Sequence, residues 1–255
     1  MPGSAAVPPS LRDFFGEHPR LALAFSGGVD SAYLLYAAMA CGCDVHAFYA
    51  QSAFQPTFER ADALRLAEQL GAKLTIVPLD VLAVEDVRRN PENRCYFCKQ
   101  AIFTALIGAA GAAGYDAIMD GTNASDDAGD RPGMKALAEL SVLSPLRLCG
   151  VTKAEVRRYS RKAGLFTWNK PAYACLATRV PAGTPLAGET LQRVEDAEAA
   201  LFDMGYTDFR VRVFHDAARL QLPADQLLRA VSRREDIREA LKPWFEVVLL
   251  DLKER

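Results

Sequence analysis

Residues 21–31 read LALAFSGGVDS, and this stretch decides the fold. Leu21, Ala22, Leu23, Ala24 and Phe25 are apolar without alternation, the pattern of a strand covered on both faces of a parallel sheet. Ser26, Gly27 and Gly28 break the run. Two glycines open backbone angles closed to other residues and let main-chain N–H groups approach an anion, while the helix that follows turns its positive end to the same place. Strand, turn and helix together describe a phosphate cradle. It has neither the G-x-x-x-x-G-K-[ST] of the Walker loop nor the G-x-G-x-x-G of the dinucleotide fingerprint.

Working outward, residues 11–17 form a short helix ahead of this strand. Residues 32–40 continue the helix after the loop, with Leu34, Leu35 and Ala38 on one face, and Gly42 ends it. Residues 45–50 make a second strand and 51–56 its carboxyl-end loop; 58–70 make a helix stopped by Gly71, and 73–81 a third strand. This alternation calls for right-handed crossovers and an α/β fold with a doubly wound parallel sheet, whose ligands bind at the carboxyl ends of the strands. Residues 116–123, DAIMDGTN, give a fourth strand whose end carries Asp120, Gly121, Thr122 and Asn123, followed by Ser125, Asp126 and Asp127. Such carboxylates suit magnesium, and an ordinary solvated turn has the same composition. Residues 142–146 read as a short fifth strand, and Thr152 to Glu155 as a capping box opening a helix that Gly164 stops.

From Gly188 the pattern changes to a small α+β domain: a helix over 191–204, hairpin strands over 209–214 and 218–222, a helix over 225–241 and a strand over 244–250. The expected division is therefore 1–180 for the nucleotide domain and 181–255 for a substrate or oligomerisation domain. Phe209, Val211 and Val213 share one face of their strand, which puts Arg210 and Arg212 together on the other. Two aligned guanidiniums suit a phosphate or carboxylate, and a solvated strand face gives the same pattern.

Lys and Arg total 30 against 32 Asp and Glu, so no global basic field marks the chain as a nucleic-acid binder. No run approaches the roughly 18 apolar residues that span a bilayer, and residues 1–10 lack the pattern of a secretory leader. The expectation is a cytoplasmic protein without a membrane partner. Six cysteines in such a chain read as thiols, metal ligands or catalytic groups. Cys41 and Cys43, flanking Gly42, read as packing residues. Cys95 and Cys98 form a C-x-x-C that fits a shared metal centre, a redox dithiol, half a zinc site or two packing side chains. Cys175 lies between Lys170 and Arg179, cations that favour a thiolate, as a nucleophile or a metal ligand.

The segment SGGVDS matches the S-G-G-x-D-S signature of the PP-loop ATP pyrophosphatases. With NRCYFCK, DGTN and its following acidic pair, RPGMKAL and PAYACLATR in this order, nearly the whole chain resembles the LarE family of ATP-dependent sulfur transferases. The resemblance implies that Ser26, Gly27, Gly28, Val29, Asp30 and Ser31 bind the ATP phosphates, with Gly121 and Thr122 also at the nucleotide and Asp30 assisting Mg2+. It implies adenylation of a carboxylate of a pyridinium dicarboxylate mononucleotide and insertion of sulfur, on the route to the nickel-pincer nucleotide cofactor. Cys175 corresponds to the cysteine that gives up its sulfur in the sacrificial form. Together with Cys95 and Cys98 it resembles the branch in which three cysteines hold a [4Fe–4S] cluster and leave one iron open to sulfide. Arg179, Arg210 and Arg212 resemble the anion-contacting set, and Glu198 and Asp127 metal contacts. The implied cofactors are ATP, Mg2+ and the [4Fe–4S] cluster; the implied partners are a small-molecule nucleotide substrate and sulfide or a sulfur donor, with a homo-oligomeric assembly. Two other readings stand beside this one. A tRNA-thiolating PP-loop enzyme would need a basic surface for RNA. A nonenzymatic nucleotide-binding Fe–S sensor would release no pyrophosphate.

Overall fold

The computed structural model describes residues 6–126 and 132–255. In chain order the elements are α1 (Pro9–Glu17), β1 (Arg20–Ala24), α2 (Val29–Ala40), β2 (Asp44–Gln51), α3 (Thr57–Leu70), β3 (Lys73–Pro78), α4 (Glu85–Arg88) and α5 (Arg94–Ala112). Then follow β4 (Ile118–Met119), α6 (Pro132–Glu139), α7 (Pro145–Leu148), α8 (Lys153–Lys162), α9 (Gly188–Asp203), β5 (Arg210–Phe214), β6 (Ala217–Gln221), α10 (Ala224–Ser232), α11 (Arg234–Leu241) and β7 (Val248–Leu250). They form two compact units. The first comprises Met1–Ser52, Thr57–Val81 and Asn93–Lys170, and the second Ala53–Pro56, Leu82–Glu92 and Pro171–Arg255.

The first unit is an α/β layer structure on a parallel sheet of order β3-β2-β1-β4. The apolar run of β1 is explained by its two covered faces. Leu21 and Leu23 join the core made with α1, α2, α3 and α8, while Ala22 joins Phe48, Ile118, Leu106 and Ala110 on the α5 side. The chain adds β2 and β3 on one side of β1 and then returns to place β4 on the other, so the order reverses between β1 and β4. In a doubly wound sheet that switch point, at the carboxyl ends of the two strands, opens a crevice for a ligand.

Three details differ from the expectations for this unit. The fifth strand is a single parallel bridge, Met119 to Leu143, because Pro145 starts the helical turn of α7 two residues on. The fourth and third strands are also shorter, β4 covering Ile118–Met119 and β3 ending at Pro78. Finally, α5 is long and apolar enough by composition to cross a bilayer, although no such run was evident in the sequence. The structure lays it on the sheet, with Phe103, Leu106 and Ala110 buried.

In the second unit β5 and β6 are antiparallel and β7 is parallel to β6, in the order β5-β6-β7. The amphipathic α9 buries Leu191, Val194, Ala197 and Leu201 against β5 and α11. The expected helix over 225–241 is two helices broken at Arg233. There the Ser232 hydroxyl donates to the Arg229 carbonyl at 2.8 Å, and Glu235 and Asp236 open the next helix. The expected strand over 244–250 shrinks to β7, since the Trp244 and Phe245 amides still donate to the Leu241 carbonyl and belong to the helix end. Asn90 ties the segment 82–92 into this unit. Its side chain donates to the Pro181 carbonyl at 2.8 Å and the Thr184 carbonyl at 3.0 Å, and its own carbonyl accepts from Gly183 at 2.8 Å.

Candidate functional site

The glycine loop of the first unit, residues 26–31, is fixed by its own side chains. Ser26 Oγ accepts from the Gly28 amide at 3.3 Å and lies 3.1 Å from Ser31 Oγ, which donates to the Gly28 carbonyl at 3.2 Å. Gly27 has φ +70°, and a Cβ there would lie 3.2 Å from Ala63 Cβ and from the Glu59 carbonyl, so both the angle and the space require glycine. Gly28 caps α2 without a side-chain hydrogen bond. Gly28 thus gives the first turn of this twelve-residue helix no side-chain cap, and the positive end of the helix lies at the loop.

Asp30, in that first turn, has a side chain that is only 22% exposed. It accepts from Lys153 Nζ through Oδ2 and from Asn123 Nδ2 at 3.3 Å through Oδ1. Burial raises its pKa above 3.8, with the Lys153 bond and charge opposing that rise. Lys153 is delivered by the capping box of α8, in which Thr152 Oγ1 accepts from the Glu155 amide and Glu155 returns the bond to the Thr152 amide.

The loop after β4 packs directly on the same turn. A Cβ on Gly121 would lie 2.8 Å from the Ser31 nitrogen and 3.2 Å from Asp30 Cβ. Asp120 is buried and accepts from the Thr122 amide at 3.2 Å, Thr122 Oγ1 at 2.5 Å and Ser144 Oγ at 2.7 Å. Asn123 and Asp126 close the loop, the Asn123 amide donating to Asp126 Oδ2 at 2.9 Å. The structure therefore brings Ser26, Gly27, Gly28, Val29, Asp30, Ser31, Gly121 and Thr122 together at the switch point. Asp127 lies outside the described residues.

Cys95 and Cys98 occupy the first turn of α5, Cys95 exposed and Cys98 half-buried. Lys99 follows them. Burial lowers its pKa, while Asp120, Cys95, Asp126 and Cys98 act in the opposite sense. Gly133 makes room for it, since a Cβ there would meet Lys99 Cδ and Cε at 3.1 Å. Lys99 and Lys153 were not singled out in the sequence. The available signals were a lysine at i+4 from Cys95 and a lysine at the first position of a capped helix. The remaining cysteines are packing groups whose thiols are held protonated: burial raises Cys41, Cys149 and, to about 11, Cys43. Cys43 donates to the His18 carbonyl and Cys149 to that of Ser10.

In the second unit, residues 171–175 have no regular structure, and Cys175 caps the 3-10 turn Leu176–Arg179. Arg179 is buried in a forked ion pair with Glu198, Nε to Oε1 at 2.9 Å and Nη2 to Oε2 at 3.0 Å. Burial alone would lower the Arg179 pKa; Glu198 outweighs it and raises it. Glu198 also accepts from the Val211 amide at 2.9 Å and from the Tyr173 hydroxyl. Both carboxylate oxygens are thus engaged, and a metal ion at Glu198 would have to displace a donor. Arg210 and Arg212 do not simply face solvent. Arg210 is buried, donating to the Phe209 and Ala172 carbonyls, and burial followed by Arg179 and Arg255 pushes it down to about 10. Arg212 donates to Gln221 Oε1 at 2.9 Å and the Thr178 carbonyl at 2.8 Å.

Thiolates are the right donors for iron, and Cys95 and Cys98 are one helical turn apart. Cys175 belongs to the other unit. Among the described residues, no three His, Cys, Asp or Glu side chains are grouped to hold one metal ion.

No family model matches the chain. An uncharacterized protein of Synechocystis is 38% identical over 248 residues, 96% of this chain and 92% of the relative. An uncharacterized protein of Methanocaldococcus jannaschii is 25% identical over 96% of this chain and 93% of its own length. The pyridinium-3,5-bisthiocarboxylic acid mononucleotide synthase of Lactiplantibacillus plantarum is 33% identical over 236 residues, 91% of this chain and 86% of the synthase. With that identity carried across nearly its full length, the chain belongs to the LarE family, that of the Lactiplantibacillus synthase.

Proposed function

We propose that this protein is an AMP- and pyrophosphate-forming sulfur transferase that adenylates a carboxylate of a pyridinium dicarboxylate mononucleotide and replaces its oxygen by sulfur, in nickel-pincer cofactor biosynthesis. The observation that carries the reading is the phosphate loop at the switch point, with Asp30 in its first helical turn, in a chain of the LarE family. A carboxylate is a poor electrophile because it would have to expel oxide. Attack of its oxygen on the ATP α-phosphate breaks the α,β bond, releases pyrophosphate and leaves an acyl adenylate. The amides of Val29 to Ser31 are suited to the pyrophosphate charge, and Asp30 to the magnesium that accompanies it. Hydrosulfide then adds to the acyl carbon and AMP leaves with the bonding pair, giving the thiocarboxylate. A cysteine sulfur doing the same gives a thioester, which releases the thiocarboxylate when the cysteine Cα proton is lost and the Cβ–Sγ bond breaks to leave dehydroalanine.

Cys95, Cys98 and Cys175 are the proposed holders of a [4Fe–4S] cluster, which when bound would supply an open iron position for sulfide. Cys175 alone is the donor in the sacrificial alternative. Incubation of the protein with ATP, Mg2+ and the mononucleotide tests the reading: AMP, pyrophosphate and a sulfur-containing acceptor should appear together.

The second reading, tRNA thiolation, has one observation in its favour. Arg157, Arg158, Arg161, Lys162 and Trp168 line a single open cavity, with Arg161 over the Trp168 ring at 5.0 Å. Cations beside an aromatic ring suit a nucleic-acid strand. Saturable binding of tRNA, lost on reversing the charge of Arg161 and Lys162, would support it.

A further inference from the structure

Cys175 sits on backbone that no helix or strand holds, yet guanidinium groups hold that backbone from several sides. Arg179 Nη1 donates to the Ala174 carbonyl at 2.5 Å, the Cys175 carbonyl at 3.2 Å and Thr178 Oγ1 at 3.0 Å. Its Nε and Nη2 are committed to Glu198. The Cys175 carbonyl also accepts from Thr178 Oγ1 at 2.8 Å and from the Thr178 amide at 3.0 Å. Arg212 takes the Thr178 carbonyl, and Arg210 and Arg255 both take that of Ala172, at 2.8 and 3.1 Å. Tyr173 has two guanidiniums over its ring, Arg179 4.4 Å and Arg210 4.9 Å from the ring centre, and its hydroxyl donates to Glu198.

We infer that Arg179, locked by Glu198, is a positioning residue for Cys175: the pair fixes the peptide on which the sulfur-handling side chain is mounted. The inference rests on the reading in which Cys175 handles sulfur. Arg179 can do this because a guanidinium carries five N–H bonds in one plane, and its acceptors here are two carboxylate oxygens, two carbonyls and a hydroxyl. Lysine offers one ammonium and no fork. With its side chain 0% exposed and each of its three guanidinium nitrogens bonded within its own unit, Arg179 acts on the chemistry through the loop.

The test uses the full chain carrying Arg179→Lys, with Thr178→Val as a milder variant that leaves the ion pair whole. Hydrogen exchange read by mass spectrometry should rise about tenfold at the amides of residues 172–178 in both, the effect of about one lost hydrogen bond on a local opening, while β5 and β6 keep their protection. Sulfur delivered per turnover time should fall about 100-fold in Arg179→Lys, as for a misplaced reacting group, with the acceptor KM within about twofold. Unchanged exchange at 172–178 in both variants overturns the inference, as does loss of protection across the whole second unit, which would make the pair a fold determinant. A raised KM with kcat kept would also overturn it, by showing direct substrate contact. If the parent chain delivers no sulfur, the functional reading fails while the exchange result still decides whether Arg179 fixes the loop.

Discussion

Gly121 and Ser31 meet so closely that a Cβ on Gly121 would stand 2.8 Å from the Ser31 nitrogen. The loop after β4 thereby rests on the first turn of α2, and two separate sequence motifs become one surface. Gly121→Ala should push that turn away, destabilise the protein by about 1–3 kcal/mol in urea unfolding and weaken ATP binding. Wild-type affinity for ATP in this variant would separate the loop from the nucleotide site.

Asp30 gives a pH prediction with a definite sign. Its folded pKa is raised above 3.8, chiefly by burial, so the folded state holds the proton more tightly than the unfolded chain. Its ionisation therefore costs stability, and that cost grows as pH rises from below 3.8 through the raised value. The stability of the parent relative to Asp30→Asn should fall across that window. On the proposed function, pyrophosphate release should be lost on the acid side at a pH above 3.8, and further up the scale in Lys153→Ala, which removes the opposing charge. Coincident acid limbs for the parent and Lys153→Ala would show that this pair does not set the profile.

Removing Glu198 should be costly because it leaves the Arg179 charge buried and unpaired. Glu198→Ala is expected to lose about 3–5 kcal/mol in chemical unfolding. A loss no greater than that of a surface carboxylate would contradict the burial seen for the pair.

The cysteines divide into two sets with different expected behaviour. Replacing Cys41, Cys43 or Cys149 by Ala should leave iron content and sulfur delivery intact, because Cys43 and Cys149 donate to carbonyls and Cys41 packs partly buried against the core. Replacing Cys95, Cys98 or Cys175 should each impair the iron content of anaerobically reconstituted protein, which should reach about four irons per parent chain. Stoichiometric dehydroalanine at Cys175, formed equally well when Cys95 and Cys98 are both Ala, would instead establish the sacrificial route.

The parallel sheet was legible because a strand buried on both faces has no choice but to be apolar throughout, as Leu21 to Phe25 are. Gly27 was legible for a similar reason, since its positive φ excludes most other residues. The breaks near Arg233 and Trp244 were not. There the apolar pattern continues while a serine hydroxyl and a closing helical turn redirect the backbone. For Arg210 and Arg212, strand alternation gave the shared face. It could not give what covers that face, which is the carbonyls of residues far along the chain. Lys99 and Lys153 escaped notice because a lysine becomes chemically specific only once folding sets it beside particular carboxylates.

The most direct test of the account is one anaerobic reaction containing the protein, ATP, Mg2+, sulfide and pyridinium dicarboxylate mononucleotide, with nucleotides and acceptor read by mass spectrometry. The account predicts AMP and pyrophosphate in step with an acceptor in which sulfur has replaced a carboxylate oxygen. ADP and orthophosphate, or an acceptor returned unchanged while ATP is consumed, would contradict it.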